Sequence, residues 1–130
     1  MRLSKEQILH RNVASYIQWK YKDVIFNSDL SGDNKNRMVA SFNKNLRSSK
    51  GFPDMVIYEG RGGYSGLFIE LKAEGCSPFK KDGKLKAGNH LREQAEMIEK
   101  LKSKDYWAQF CTGFDEAKAC IDWYMKLERS

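Results

Sequence analysis

Two carboxylates and one amine are the residues best suited to chemistry in this sequence. Asp54 follows Pro53 at the start of an apolar run, and Glu70 and Lys72 lie at the end of the next one. Glu70 and Lys72 are two residues apart, so in an extended strand their side chains leave the same face. Hard oxygen ligands of this kind suit Mg²⁺, which binds a few carboxylates and keeps several waters. The three residues could therefore surround a divalent ion.

Phosphodiester hydrolysis needs a nucleophilic water and a group that neutralises the charge building on the phosphoryl oxygens, and this combination could supply both. A divalent ion bound by Asp54 and Glu70 would lower the pKa of a coordinated water and polarise the phosphate. Lys72 could orient the attacking water or neutralise charge that develops on the phosphoryl oxygens. The Leu71 carbonyl, between the two side chains, could complete the metal shell. A structural ion pair between Lys72 and either carboxylate is the simpler alternative, because charged residues are common at strand ends.

A β-hairpin would bring these residues together. The runs 55–58 and 67–69 are apolar and rich in β-favouring residues, and a glycine-rich stretch separates them. In an antiparallel hairpin, the start of the first strand lies beside the end of the second. Asp54 is therefore predicted to lie next to Glu70 despite their separation in the sequence.

The remaining periodicity predicts an α/β domain spanning residues 1–130. Ser4 and Gln7 have the spacing of a capping box that opens a first helix. The other predicted elements are a strand at 24–26, a helix around 38–46, the hairpin, a helix capped by Asn89, a strand at 106–111 and a helix at 114–127. This α-β-α-β-β-α-β-α order packs most economically as one mixed β-sheet flanked by helices.

Two further residues could belong to the same site. Glu6 lies one turn before Leu9, at the inward edge of the first helix, where it could bind the ion or simply complement the helix dipole. Gln94 lies between Leu91 and Ile98 on the inner stripe of the third helix. Its amide could contact Lys72 or a phosphate, and the alternative is a partly exposed helix glutamine.

The composition is that of a soluble, basic protein. The chain is 41% hydrophobic and 31% charged, and its net charge of +6 comes from 23 basic and 17 acidic side chains. An excess of positive charge favours a polyanionic partner, because phosphate contacts release condensed counterions. Since no apolar run could cross a bilayer and no signal-peptide pattern begins the chain, we expect a cytoplasmic protein without membrane contact.

The cysteines argue against a zinc or thiol enzyme. Cys76, Cys111 and Cys120 show no CxxC spacing, and the chain has only two histidines. No zinc quartet can be assembled from these positions. We expect reduced thiols that are mostly buried.

A cluster of basic residues lies between the hairpin and the third helix. The stretch 73–88 has no periodicity and is predicted to be a mobile loop. Its lysines, together with one arginine in the hairpin turn, could follow a DNA backbone, or they could simply be solvated. These residues are Arg61, Lys80, Lys81, Lys84 and Lys86. Such contacts would fix the position of the DNA and carry no sequence information.

The motifs resemble those of the virus-type replication-repair nuclease (VRR-NUC) domain. They are GFPD at 51–54, FIELK at 68–72 and Gln94 in the following helix. This domain is a branch of the PD-(D/E)xK superfamily, akin to Holliday-junction resolvases. The resemblance covers nearly the whole chain, since the element order also matches the restriction-endonuclease-like core. One departure is the stretch between Lys72 and Gln94, which is longer than usual and holds the lysines.

The resemblance implies a Mg²⁺- or Mn²⁺-dependent endonuclease. The ligands that it implies are Glu6, Asp54, Glu70 and the Leu71 carbonyl, with Lys72 and Gln94 completing the site. Stand-alone members resemble phage or bacterial proteins that dimerise and cut branched DNA, so a homodimer acting on Holliday junctions or flaps is implied. The alternatives are a non-catalytic nucleic-acid-binding module on the same fold and a restriction-type or general DNase.

Overall fold

The computed structural model describes residues 2–29 and 50–130. The helices in these ranges are α1 (Lys5–Lys20), α2 (Asn89–Lys102) and α3 (Gly113–Met125). The strands are β1 (Phe26–Ser28), β2 (Met55–Ile57), β3 (Leu67–Lys72) and β4 (Trp107–Thr112). The helix predicted around 38–46 lies outside the described residues.

The strands form one mixed sheet in the order β1-β2-β3-β4. The first three strands pair antiparallel, and β4 pairs parallel to β3. In the β2–β3 hairpin, Met55 pairs with Ile69 and Ile57 with Leu67. Both the predicted hairpin and the predicted mixed sheet flanked by helices are therefore confirmed.

The alternation of side chains along β3 divides the core into two layers. Leu67, Ile69 and Leu71 are buried in the layer that β3 shares with α1 and α3. Phe68 faces the other way and packs against the apolar residues of α2. Because a slip of one residue would reverse both faces, this burial fixes the register of β3. The same register sends the side chains of Glu70 and Lys72 towards α2.

Several predicted boundaries differ from those of the structure by one or two residues; β4, for example, spans Trp107–Thr112 rather than 106–111, and α3 ends at Met125 rather than at 127. The first strand begins at Phe26 rather than at Val24, because the Val24 N–H donates to the Tyr21 carbonyl in the turn that follows α1. Gly88 rather than Asn89 caps α2, and Asn89 is the first helical residue. The capping box that joins Ser4 and Gln7 at the start of α1 is present as predicted.

The stretch that was predicted to be a mobile loop contains a defined turn, here called the lysine turn (residues 78–86). Phe79 and Leu85 form an antiparallel bridge, and the Lys86 N–H donates to the Pro78 carbonyl at 2.8 Å. Pro78 is fully buried and anchors the base of the turn. Sequence periodicity missed this turn because a single bridge is too short to produce a repeating pattern.

The thiols are mostly buried, as predicted. Cys111 and Cys120 are buried and Cys76 is exposed, and all three are free thiols. Among the described residues, no helix combines the length and the hydropathy needed to cross a membrane.

Asp122 of α3 connects the two helices that cover one face of the sheet. Its carboxylate accepts hydrogen bonds from the Tyr16 and Tyr21 hydroxyls, each at 2.7 Å, and from Lys20 Nζ at 3.2 Å. Desolvation raises the pKa of Asp122, but the hydrogen bonds from Tyr16, Tyr21 and Lys20 outweigh it and leave the pKa below its ordinary value. The ionised carboxylate therefore stabilises the packing of α1 on α3.

Gly51 allows α2 to approach the segment that leads into β2. Its φ is +85°, and a Cβ at this position would lie 2.5 Å from the Glu93 carbonyl oxygen and 3.0 Å from the Gln94 nitrogen. Any side chain here would therefore push α2 away from the sheet. The glycine of the GFPD motif thus sets the distance between α2, which carries Gln94, and the segment that carries Asp54.

We expect Asp122→Asn to lower the free energy of unfolding by about 1–3 kcal/mol at neutral pH, because three donors lose a charged acceptor. Since the folded pKa of Asp122 lies below the unfolded one, its contribution is present above the unfolded pKa and is lost as the pH falls through the folded pKa. Urea unfolding at about pH 7 and about pH 3 should show a smaller difference between variant and wild type at the lower pH. Asp115→Asn, on the exposed part of the same helix, is the control with a smaller effect. A difference that does not change with pH would contradict this account.

We expect Gly51→Ala to destabilise the protein more than Gly75→Ala. The two glycines have nearly the same φ, +85° and +84°, but a Cβ at Gly75 has nothing within 4 Å. Gly75→Ala should therefore cost only the backbone strain of about 1–2 kcal/mol, whereas Gly51→Ala adds a clash with α2. Chemical denaturation measures the free energy of unfolding of both variants. Equal losses of this free energy would show that a side chain at position 51 can be accommodated against α2.

Candidate active site

The end of the β2–β3 hairpin holds Asp54 from both sides. Its backbone carbonyl accepts a hydrogen bond from the Asp29 N–H at 2.6 Å, just beyond β1. Its side-chain Oδ1 accepts a hydrogen bond from the Leu71 N–H at 3.0 Å. Because the β2–β3 ladder ends at the Met55–Ile69 pair, the carboxylate of Asp54 takes over pairing with β3 at this point. Asp54 is thereby placed directly beside the Glu70–Lys72 segment.

Glu70 is a buried carboxyl group beside another acid. It is 4% exposed, and it lies on the face of β3 that α2 covers. Burial raises the pKa of Glu70 to about 9, and the charge of Asp54 and a hydrogen bond to it act in the same direction. Lys72 lowers this pKa and Glu6 raises it, so all four groups interact across one end of the sheet. The carboxyl groups here outnumber the one amine among them.

Gln94 connects Lys72 to Glu70. Lys72 Nζ donates to Gln94 Oε1 at 2.8 Å, and Gln94 Nε2 donates to Glu70 Oε1 at 3.0 Å. Since an ammonium can only donate, these two bonds determine which way the amide points. Gln94 is only 6% exposed, so it is not the partly exposed glutamine of the alternative interpretation. Its second amide hydrogen faces His90 Nε2, which lies 3.2 Å from Gln94 Nε2.

The first helix adds a carboxylate and an imidazole. Glu6 and His10 lie one helical turn apart on α1, and their ligand atoms and those of Asp54 all lie within 4.8 Å of one another. His10 Nε2 is 3.2 Å from Asp54 Oδ2, and His10 Nδ1 is hydrogen bonded to Ser28 Oγ. Sequence reasoning missed His10, although its spacing of four residues from Glu6 was a usable signal.

Arg61 does not lie near the other candidate residues. It follows β2 in the turn at the opposite end of the hairpin from Asp54. Arg61 Nε pairs with Glu59 Oε2 at 2.6 Å, and its Nη1 donates to the Leu127 carbonyl at 3.0 Å. The guanidinium therefore has a structural role in joining the hairpin turn to the C-terminal segment.

The lysine turn adjoins the site through two aromatic rings. Phe79, at the base of the turn, packs edge-on against Phe110 with 5.7 Å between the ring centroids. Lys72 Nζ lies 5.9 Å from the centroid of the same Phe110 ring. The turn carries Lys80, Lys81, Lys84 and Lys86, all exposed. The base of the turn that carries these lysines is thus in contact with Phe110, whose ring also lies near Lys72.

The donor groups present fit a hard divalent cation. Buried carboxylates at close range repel one another and remain costly unless a positive charge or a proton compensates them. Asp54, Glu70 and Glu6 supply oxygen ligands of the kind that Mg²⁺ and Mn²⁺ bind. The backbone of Leu71 lies between Glu70 and Lys72, with its N–H already engaged by Asp54.

Comparison with known proteins identifies the fold. No family model matches the sequence, and no curated protein matches it significantly. A solved structure described as a "VRR_NUC domain protein" is similar over 99% of this chain and 94% of that chain, with a TM-score of 0.68 and 24% sequence identity. The predicted restriction-endonuclease-like core agrees with this likeness. The chain therefore has the fold of a VRR_NUC domain protein.

Proposed function

We propose that the protein is a metal-dependent DNA endonuclease of the VRR-NUC branch of the PD-(D/E)xK superfamily. The observation that carries this proposal is the convergence of Asp54, Glu70 and Lys72 at one end of the sheet, with Gln94 bonded to the last two. The shared fold supports it, because the similar structure is described as a VRR_NUC domain protein. The chemistry that these groups fit is hydrolysis of a phosphodiester bond.

The acidic residues are the proposed metal ligands. Glu6, Asp54, Glu70 and the Leu71 carbonyl would hold Mg²⁺ or Mn²⁺, which polarises a phosphate and lowers the pKa of a bound water. The hydrogen bond from the Leu71 N–H holds the Asp54 carboxylate beside β3, where the ion would bind. The hydrogen bond from Gln94 similarly holds the Glu70 carboxyl group in place.

Lys72 is the proposed catalytic amine. Gln94 Oε1 accepts one of its hydrogen bonds and sets the position of Nζ beside Glu70. An ammonium has three donors, so the same group can also donate to an attacking water or to a phosphoryl oxygen. Gln94 is a positioning residue in this scheme, because it fixes the amine and one carboxyl group relative to each other.

The lysine turn is the proposed contact for the DNA backbone. The turn carries four exposed lysines, and its base contacts Phe110, which pairs with Glu70 in the sheet. A phosphate backbone bound there would lead towards Lys72. Branched substrates such as Holliday junctions or flaps, cut by a homodimer, complete the proposal, since two symmetric sites can act on two strands of a junction.

We expect Lys72→Ala and Asp54→Asn each to reduce the rate of DNA cleavage by about 100-fold or more, because each removes stabilisation at the reacting phosphate. Cleavage of labelled four-way, flap and linear duplex DNA with Mg²⁺ or Mn²⁺ measures the effect. Lys126→Ala, an exposed lysine at the end of α3, is the control and should leave the rate unchanged. Undiminished cutting by both site variants would reject the proposed active site. DNA binding by the wild type without any cutting would favour a non-catalytic binding module instead.

We expect replacement of Lys80, Lys81, Lys84 and Lys86 by Ala to weaken DNA binding and to reduce its dependence on salt. Each lost phosphate contact should lower the slope of log K against log salt by about 0.9 for duplex DNA. Fluorescence anisotropy across a salt series, in the Asp54→Asn background, measures binding without cleavage. The control removes the same number of exposed lysines elsewhere, at Lys22, Lys104, Lys118 and Lys126. Equal effects of both sets would indicate general attraction by net charge and would contradict a specific contact at the lysine turn.

A further inference from the structure

His10 is a buried histidine that faces the acidic residues of the candidate active site. It is 4% exposed, and its Nε2 lies 3.2 Å from Asp54 Oδ2. Glu6 belongs to the same group, since the ligand atoms of the three residues lie within 4.8 Å of one another. An imidazole nitrogen thus lies among the oxygen atoms that are proposed to bind a divalent cation.

The distance between His10 and Asp54 fits two adjacent ligands of a single ion. Ligand atoms at neighbouring octahedral positions, each about 2.1 Å from the ion, lie roughly 3 Å apart. His10 Nε2 and Asp54 Oδ2 are 3.2 Å apart. An ion could therefore replace the hydrogen bond between them without a large movement of either side chain.

Ser28 allows His10 Nε2 either to donate a hydrogen bond to Asp54 or to bind an ion. A serine hydroxyl can donate or accept a hydrogen bond, so Ser28 Oγ can pair with Nδ1 in both neutral tautomers. In one tautomer, Nε2–H donates to Asp54. In the other, Nδ1–H donates to Ser28 and Nε2 offers a lone pair to an ion. Histidines that bind metals generally have their second ring nitrogen hydrogen bonded in this way.

We propose that His10 is a nitrogen ligand of the divalent ion and makes the site prefer Mn²⁺ over Mg²⁺. The inference rests on the proposed function, because both assign Glu6 and Asp54 as ligands of the same ion. Mg²⁺ keeps an oxygen shell of carboxylates and waters, whereas transition-metal ions accept imidazole nitrogen more readily. Because His10 is buried and held at both ring nitrogens, its ring is preorganised to face the ion.

The test measures metal binding directly and does not depend on cleavage. Calorimetric titration of wild type and His10→Ala with Mn²⁺ and Mg²⁺ should show a rise in the Mn²⁺ Kd of roughly tenfold or more, with a smaller change for Mg²⁺. Electron spin echo spectroscopy of the Mn²⁺-loaded wild type should show coupling to a ¹⁴N nucleus, which His10→Ala should lose. His90→Ala, which removes the only other histidine, is the matched control and should keep the coupling.

The outcomes separate this inference from the proposed function. Absence of nitrogen coupling in the Mn²⁺-loaded wild type overturns the role of His10 as a ligand without using any variant. Equal losses of Mg²⁺ and Mn²⁺ affinity in His10→Ala also overturn it, since they indicate that His10 only orients Asp54. His10→Gln keeps the side-chain bulk if the alanine variant does not fold. If instead the wild type binds neither ion, or Asp54→Asn binds both as tightly, the proposed function itself fails.

Discussion

The burial of Glu70 beside Asp54 is the constraint on which the rest of the site depends. Two carboxyl groups held close together out of water repel each other when both are ionised, and burial raises the pKa of Glu70 to about 9. Such an arrangement is stable only where a proton, a positive charge or hydrogen bonds compensate for it. Lys72 supplies one positive charge and Gln94 one hydrogen bond, and a divalent cation would supply what these two do not.

Three separate parts of the chain hold this unfavourable group of charges in place. The hairpin sets Asp54 against the backbone of β3 through the Leu71 N–H. The helix α2 lies close enough for Gln94 to reach β3 because Gly51 has no side chain at the point of contact. The helix α1 brings Glu6 and His10 from the other layer of the core. The site therefore lies where both layers and the end of the sheet meet.

The opposite end of the hairpin is joined to the last helix and the C-terminal segment by hydrogen bonds. The Tyr124 hydroxyl donates to the Glu59 carbonyl at 2.7 Å, and the Gly62 N–H donates to the Glu128 carbonyl at 2.7 Å. Arg61 joins the same network through its contacts with the Glu59 carboxylate and the Leu127 carbonyl. One end of the hairpin is anchored to the C-terminal segment, and the other end holds the candidate active-site residues.

Local pattern in the sequence was enough to predict the described helices and strands and the PD…ExK motif. The apolar runs around a glycine-rich turn determine the hairpin, and a spacing of two residues determines that Glu70 and Lys72 share a face. Strand and helix ends were less predictable, because the turn after α1 and the pairing of β1 with β2 decide where the first strand begins.

Tertiary structure alone decided how Gln94 joins Lys72 to Glu70, which way Arg61 points and that His10 faces Asp54. The spacing of Glu6 and His10 could show only that these two residues share a face of the first helix. The contacts of Gln94 with Lys72 and of His10 with Asp54 join elements far apart in the sequence. The same holds for the lysine turn, whose position beside the site follows from the contact of Phe79 with Phe110. Residue type and spacing determined which groups could perform the chemistry, and packing between layers determined which of them meet.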